Sequence, residues 1–288
     1  MIRHLLLMLS LTFLFTSNLL ASQSVITESD GYSCMGDDKS RKETEQAAVN
    51  DAKRKATEYA ATYIRSETRV KDLALEKDLL NAYAHAQVKV IRELEKGWYK
   101  DAASGDCYRA KLQLEVIPDE KSMAAVTARN QGLLEIEPTA PLSVRVWTDK
   151  QEYRQGQKIR IYLKSNKPFY GRVVYKDAAD SVVQLLPNPY RQDNYFNGGV
   201  VYELPSGEDR FELEVAPPFG SEGITVYAGT APLGEVETAT AGSVYAIKTK
   251  PQEIGAGTRG LKIVAKESAL APATAEFAEA AAIVKTRK

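Results

Sequence analysis

The stretch YGRVVYKDAADSVVQLLP (Tyr170–Pro187) decides the architecture. Two short runs rich in Val, Leu and Tyr flank the polar segment Asp177 to Asp180. Aspartate suits a tight turn because its side chain bonds its own backbone. The stretch therefore predicts a hairpin. Six more runs of similar length lie around it: SVRVWT, KIRIYLKS, VVYELP, RFELEVAP, ITVYAGT and VYAIKT. Turn residues punctuate them at Gln155-Gly156, Ser206-Gly207 and Phe219-Gly220. Ile159, Ile161 and Leu163 alternate with polar neighbours, as do Phe211, Leu213 and Val215. Short alternating strands with polar turns predict an all-β sandwich over residues 142–265.

Directly after the hairpin comes QLLPNPYRQDNYFNGG (Gln184–Gly199). Leu185 and Leu186 finish a strand, Pro187 and Pro189 stop it, and Asn197 to Gly199 allow a sharp reversal. Turn chemistry leaves Tyr190, Arg191, Tyr195 and Phe196 unexplained. Either they present rings and a guanidinium to a partner, since contact hot spots favour Tyr and Arg, or the rings fold back and cap the sandwich core.

The N-terminal half has another texture. Ser40 and Glu43 have capping-box spacing. Ala48, Ala52, Ala56, Tyr59, Ala60, Tyr63 and Ile64 then recur at the helical period. Alanines let such a helix lie close to a sheet. Leu75 to Ala86 predicts a second, shorter helix. CYRAKLQLEV (Cys107–Val116) alternates as a half-buried strand, and VKVIRELEKGWY before it pairs through a polar linker. Residues 24–118 thus form an α+β domain, a long helix on a small antiparallel sheet. Residues 119–141 make a linker: a connecting helix that becomes extended near Leu133, then EPTAP (Glu137–Pro141). The alanine-rich tail, residues 266–288, reads as a frayed helix or as disordered.

The chain begins MIRHLLLMLSLTFLFTSNLLAS. A basic Arg3, an apolar run from Leu5 to Leu20 and small residues at Ala21 and Ser22 predict a secretory signal peptide over residues 1–22. The run is short of the about 20 residues that span a bilayer comfortably. The mature chain is therefore expected in the periplasm or secreted, with no stable membrane span. Export makes one disulfide the expectation for Cys34 and Cys107, the only cysteines. The rival, a redox or metal pair, would favour a CxxC spacing. Lys+Arg and Asp+Glu both number 38, so no net charge favours a nucleic-acid partner.

The residues YRQGQKIRIYLKS, YGRVVYKDAADSVVQLLPN, YELP, FELEVAPPFGSEGITVYA and TRGLKI resemble a bacterial domain-of-unknown-function family. That family occurs in exported proteins and after kinase or caspase-like domains. The resemblance implies an immunoglobulin-like sandwich and supplies no catalytic residue. AVNDAKRKATEYAATYI and LEKDLLNAYAHAQVKV, followed by a hairpin, resemble the N-terminal domain of flagellar assembly protein T and related envelope lipoproteins. Those are structural or assembly factors. This chain lacks their lipidation cysteine.

Chemistry is sparse. His85 is the sole histidine after the leader, so a histidine-based triad or zinc centre has no support. Asp37 with Asp38, and Asp177 with Asp180, sit where a helix start and a turn favour acids. No cofactor or metal is expected. The leader, the sandwich pattern and the absence of catalytic groupings predict an exported non-catalytic envelope protein that binds a protein partner. A glycan bound through Trp98 or Trp147 is the alternative, and a carboxylate-based hydrolase is a third.

Overall fold

The computed structural model describes residues 22–67, 73–242, 244–260 and 274–288. Apart from Ser22, the expected leader lies outside the described residues. Among these, no helix is long and apolar enough to cross a membrane.

The first module contains β1 (Ser22–Cys34), α1 (Arg41–Glu67), α2 (Leu73–Ala84), β2 (Gln87–Asp101), β3 (Gly105–Ile117) and α3 (Glu120–Ile136). The predicted capping box forms: the Ser40 amide donates to Glu43 Oε2 (2.8 Å), and the Glu43 amide donates to Ser40 Oγ (3.3 Å). The Ser40 backbone bond holds the Glu43 carboxyl below its usual range. Ala48, Ala52, Ala56 and Ala60 are wholly buried, which brings the α1 axis close to β1. Tyr59 departs from the expected stripe and is exposed. β1 complements the alanines by shrinking along its α1-facing side, from Val25 through Thr27 and Ser29 to Gly31. α3 stays helical through Leu133 to Ile136, with its break at Asn130. The extended chain expected near Leu133 therefore begins later.

β1 and β3 pair antiparallel with Cys34 opposite Cys107, and the predicted disulfide joins them. It closes a separation of 73 residues. Replacing both cysteines by Ser is expected to lower unfolding stability by about 4 kcal/mol, on the chain-entropy account. Urea melts of the two forms check this, and coincident curves would contradict it.

The second module contains β4 (Val144–Thr148), β5 (Glu152–Arg154), β6 (Ile161–Ser165), β7 (Phe169–Lys176), β8 (Val182–Leu186), β9 (Tyr195–Phe196), β10 (Tyr202–Leu204), β11 (Ser221–Gly229), β12 (Thr238–Ala241), β13 (Val244–Ile247), α4 (Pro251–Arg259) and β14 (Thr274–Arg287). The hairpin at Asp177 forms as read: its Oδ1 accepts from the amides of Ala179 and Ser181, both at 2.8 Å. A three-stranded sheet, β10-β6-β4, faces the long sheet across one core. Val173, Leu186 and Val226 fill it from one side, and Val144, Ile161 and Leu163 from the other. This is the β-sandwich that the alternation predicted.

Two segments differ from their sequence reading. RFELEV is not a strand; one isolated bridge, Lys158 to Glu214, and backbone bonds at Leu213 and Val215 tie it to residues 156–159 without extending into a ladder. Phe211, Leu213 and Val215 still pack on the core. The tail reading is overturned from Thr274 onward. That segment is β14, which pairs with β11 on one edge and β1 on the other. The long sheet therefore runs β12-β13-β8-β7-β11-β14-β1-β3-β2 through both modules. Tertiary pairing here overrides the helix preference of alanine.

Candidate functional site

The loop between β8 and β9 is fixed by Asn188, which is wholly buried. Its Nδ2 donates to the Leu185 carbonyl (2.7 Å). Its Oδ1 accepts from the amides of Tyr190 (2.8 Å) and Arg191 (2.9 Å). One side chain thus reinforces a turn that backbone bonds between Asn188 and Arg191 also close. Gln192 adds a second tie: its Nε2 donates to the Asn188 carbonyl (2.6 Å) and to the Tyr245 hydroxyl (3.2 Å). A loop satisfied in this way holds its outward side chains with little ordering left to lose on binding.

The four candidate residues separate into two pairs. Tyr195 and Phe196 are neighbours in a strand and so point to opposite faces. Phe196 is 1% exposed and stacks on Phe169 at 5.0 Å within the sandwich core. It is a core residue, so its candidacy as a contact is corrected. Arg191 pairs with Asp209 (3.2 Å), and its guanidinium lies 5.6 Å from the Phe196 ring. It ties the loop to the 206–209 turn, where Asp209 also accepts from the Ser206 amide. Tyr190 is 52% exposed against Phe211, and Tyr195 is 45% exposed against Tyr170. The rings therefore divide: Phe196 caps the core, and Tyr190 and Tyr195 stay exposed.

The remaining candidates occupy structural places. Trp98 is half-buried, donates from Nε1 to Glu45 (3.0 Å) and lies beneath the Arg41 guanidinium. Trp147 is half-buried and stacks on Tyr162 at 5.7 Å on the outer side of the small sheet. His85 is exposed at the end of α2, its Nδ1 3.1 Å from the Asn81 carbonyl. Among the described residues, no group of three or more His, Cys, Asp or Glu is placed to hold a metal ion. An open groove of about 550 Å³ lies between α1 and α2, lined by Ala61, Arg65, Lys77, Leu80 and others.

Sequence reasoning missed two polar clusters where the modules meet. In the first, Glu276 of β14 accepts from Lys167 Nζ (2.9 Å) and from the Leu142 amide. Beside it, Asn166 Nδ2 donates to the carbonyls of Glu137, Ala140 and Pro141, which pins the linker. In the second, Arg259 of α4 contacts Glu115 of β3 (2.7 Å) and Glu279 of β14 (3.0 Å). Nearby, Arg172 donates to Thr258 Oγ1 (2.7 Å) and the Gly234 carbonyl (2.9 Å). Burial lowers its guanidinium pKa to about 10. The signal for both clusters was the pair of acids, Glu276 and Glu279, inside an otherwise alanine-rich tail.

Residues 152–232 match the model of a family described as Domain of unknown function (DUF4384). The match runs from β5 through β11, includes the Tyr190–Phe196 loop, and agrees with the resemblance of the C-terminal region to such a family. No curated protein matched the chain, and no solved structure did.

Proposed function

We propose that this is an exported, non-catalytic protein of a bacterial envelope that binds a protein partner through the loop between β8 and β9. The observation that carries the reading is the pairing of a rigid loop with two exposed rings, Tyr190 and Tyr195. Large apolar rings on a preorganised scaffold are what a contact centre requires. The expected leader and the disulfide fit an oxidising compartment. The N-terminal resemblance to assembly factors points to the same class of work.

The test separates contact from packing. Tyr190→Ala with Tyr195→Ala is expected to abolish crosslinked capture of the partner from an envelope fraction, with the melting temperature shifted by less than about 2 °C. Phe196→Ala is expected to cost about 3–5 kcal/mol of stability, because it empties a core site. Undiminished capture by the double tyrosine variant would overturn the proposal.

A glycan is the second reading, favoured by Trp147 and Tyr162 on the outer side of the small sheet. Binding on a glycan array that Trp147→Ala removes, with the loop variant unaffected, would replace the first reading. The hydrolase reading has less support, since both Glu115 and Glu279 are engaged by Arg259.

A further inference from the structure

We infer that β14 is a detachable clasp: a helix-prone segment that docks as a strand between β1 and β11 and, by docking, joins the two modules into one sheet. The inference goes beyond the binding role and does not depend on it.

The local sequence opposes the observed state. AEFAEAAAIV (residues 275–284) holds five alanines, two glutamates, no glycine and no proline. Alanine and glutamate are strong helix formers and are depleted in strands. Most segments in a folded chain agree with their local preference, and a disagreement marks a place where two states lie close in energy.

The packing is light for a strand with neighbours on both edges. Ala278, Ala280 and Val284 face the sandwich core, while Ala275 and Phe277 face the cluster beneath α4. Alanines bury little apolar surface, so Phe277 and Val284 supply most of what this strand removes from water. Its hold comes from the ladders to β1 and β11, a short parallel ladder to β5 at its C-terminal end, the Thr286 hydroxyl on Glu222 and two acids. Glu276 is fixed by Lys167 and the Leu142 amide, and Glu279 by Arg259.

Position gives the clasp its consequence. In the sheet order β11-β14-β1, it is β14 that connects the first module's strands to those of the second. The first module's core contains no β14 residue, and β14 adds only Ala278, Ala280 and Val284 to the sandwich core. The α1 alanines pack on β3 and α2, and β7, β8 and β11 pack on the small sheet. Opening β14 therefore exposes less surface than global unfolding and has a lower free energy. It would break the sheet between the modules, leaving side-chain ties such as Arg259–Glu115, and free the edges of β1 and β11 to take another strand.

Hydrogen exchange on the full-length protein tests this. Amides of β14 are expected to exchange at least about tenfold faster than those of β7, through an opening that leaves β7 protected. Ala281→Thr should slow β14 exchange and leave β7 unchanged, since β-branching favours strand over helix. Ala282→Thr serves if the first variant folds poorly. A synthetic peptide of residues 274–288 should become helical in trifluoroethanol, and a labelled copy should exchange into the full chain. Exchange of β14 and β7 within about threefold of each other would overturn the inference. So would a peptide that stays non-helical.

Discussion

Gly31→Ala is expected to destabilise the protein by about 3 kcal/mol, near the upper end for overpacking. A Cβ built at Gly31 would lie 2.0 Å from the Ala48 carbonyl oxygen and 2.4 Å from the Ala52 nitrogen. Both are backbone atoms of α1, so no rotamer change can relieve the contact. The helix would have to lift from β1, and the alanines at 48, 52, 56 and 60 would lose their packing together. These residues have no long side chain with which to refill the gap. A loss of this size corresponds to a fall in melting temperature of about 6–12 °C for a chain of this length. Gly97→Ala provides the internal control, because nothing lies within 4 Å of its Cβ position. It should be neutral within about 0.5 kcal/mol. Equal melting temperatures for the two variants would show that α1 does not rest on Gly31 as described.

The contrast between Gly31 and the tail shows what could be read from the sequence. α1 was legible because a capping box and a stripe of alanines are local signals, and the helix uses both. The 170–187 hairpin was legible for the same reason: alternation, turn chemistry and strand pairing all lie within a few residues. β14 was not legible. Its composition favours helix, and its partners β1 and β11 are far away in sequence. RFELEV failed in the opposite direction. Its alternation correctly turned Phe211, Leu213 and Val215 inward, yet alternation does not guarantee a ladder, and the pairing with residues 156–159 stops after a single bridge and a few backbone bonds. In the candidate loop, the crowd of rings was visible but their fates were not. Whether Tyr195 or Phe196 faces the core depends on the register of β9 against β7, which a two-residue strand does not announce.

Glu276→Gln is expected to cost about 3 kcal/mol, with an effect concentrated where the modules meet. The Glu276 side chain is 3% exposed and that of Lys167 12%. Glutamine keeps the shape but removes the charge, leaving a buried ammonium without a counter-ion. The same carboxylate accepts from the Leu142 amide, so the end of the linker loosens as well. Its influence reaches α1 and α2. Burial raises the phenols of Tyr63 and Tyr83, and the Glu276 charge raises both further. Lys167→Met alone should be comparably harmful, because it strands the carboxylate. Lys167→Met with Glu276→Leu should recover part of the loss, since two apolar groups need no partner. That recovery, measured as a coupling energy in urea melts, identifies the pair and not the volume as the cause. Glu276→Gln within about 1 kcal/mol of wild type would deny the pair this role. Hydrogen exchange then distinguishes this junction from the α1 contact. Glu276→Gln should accelerate β14 ahead of β7, whereas Gly31→Ala should accelerate α1 and β1 and leave the β7–β8 hairpin protected.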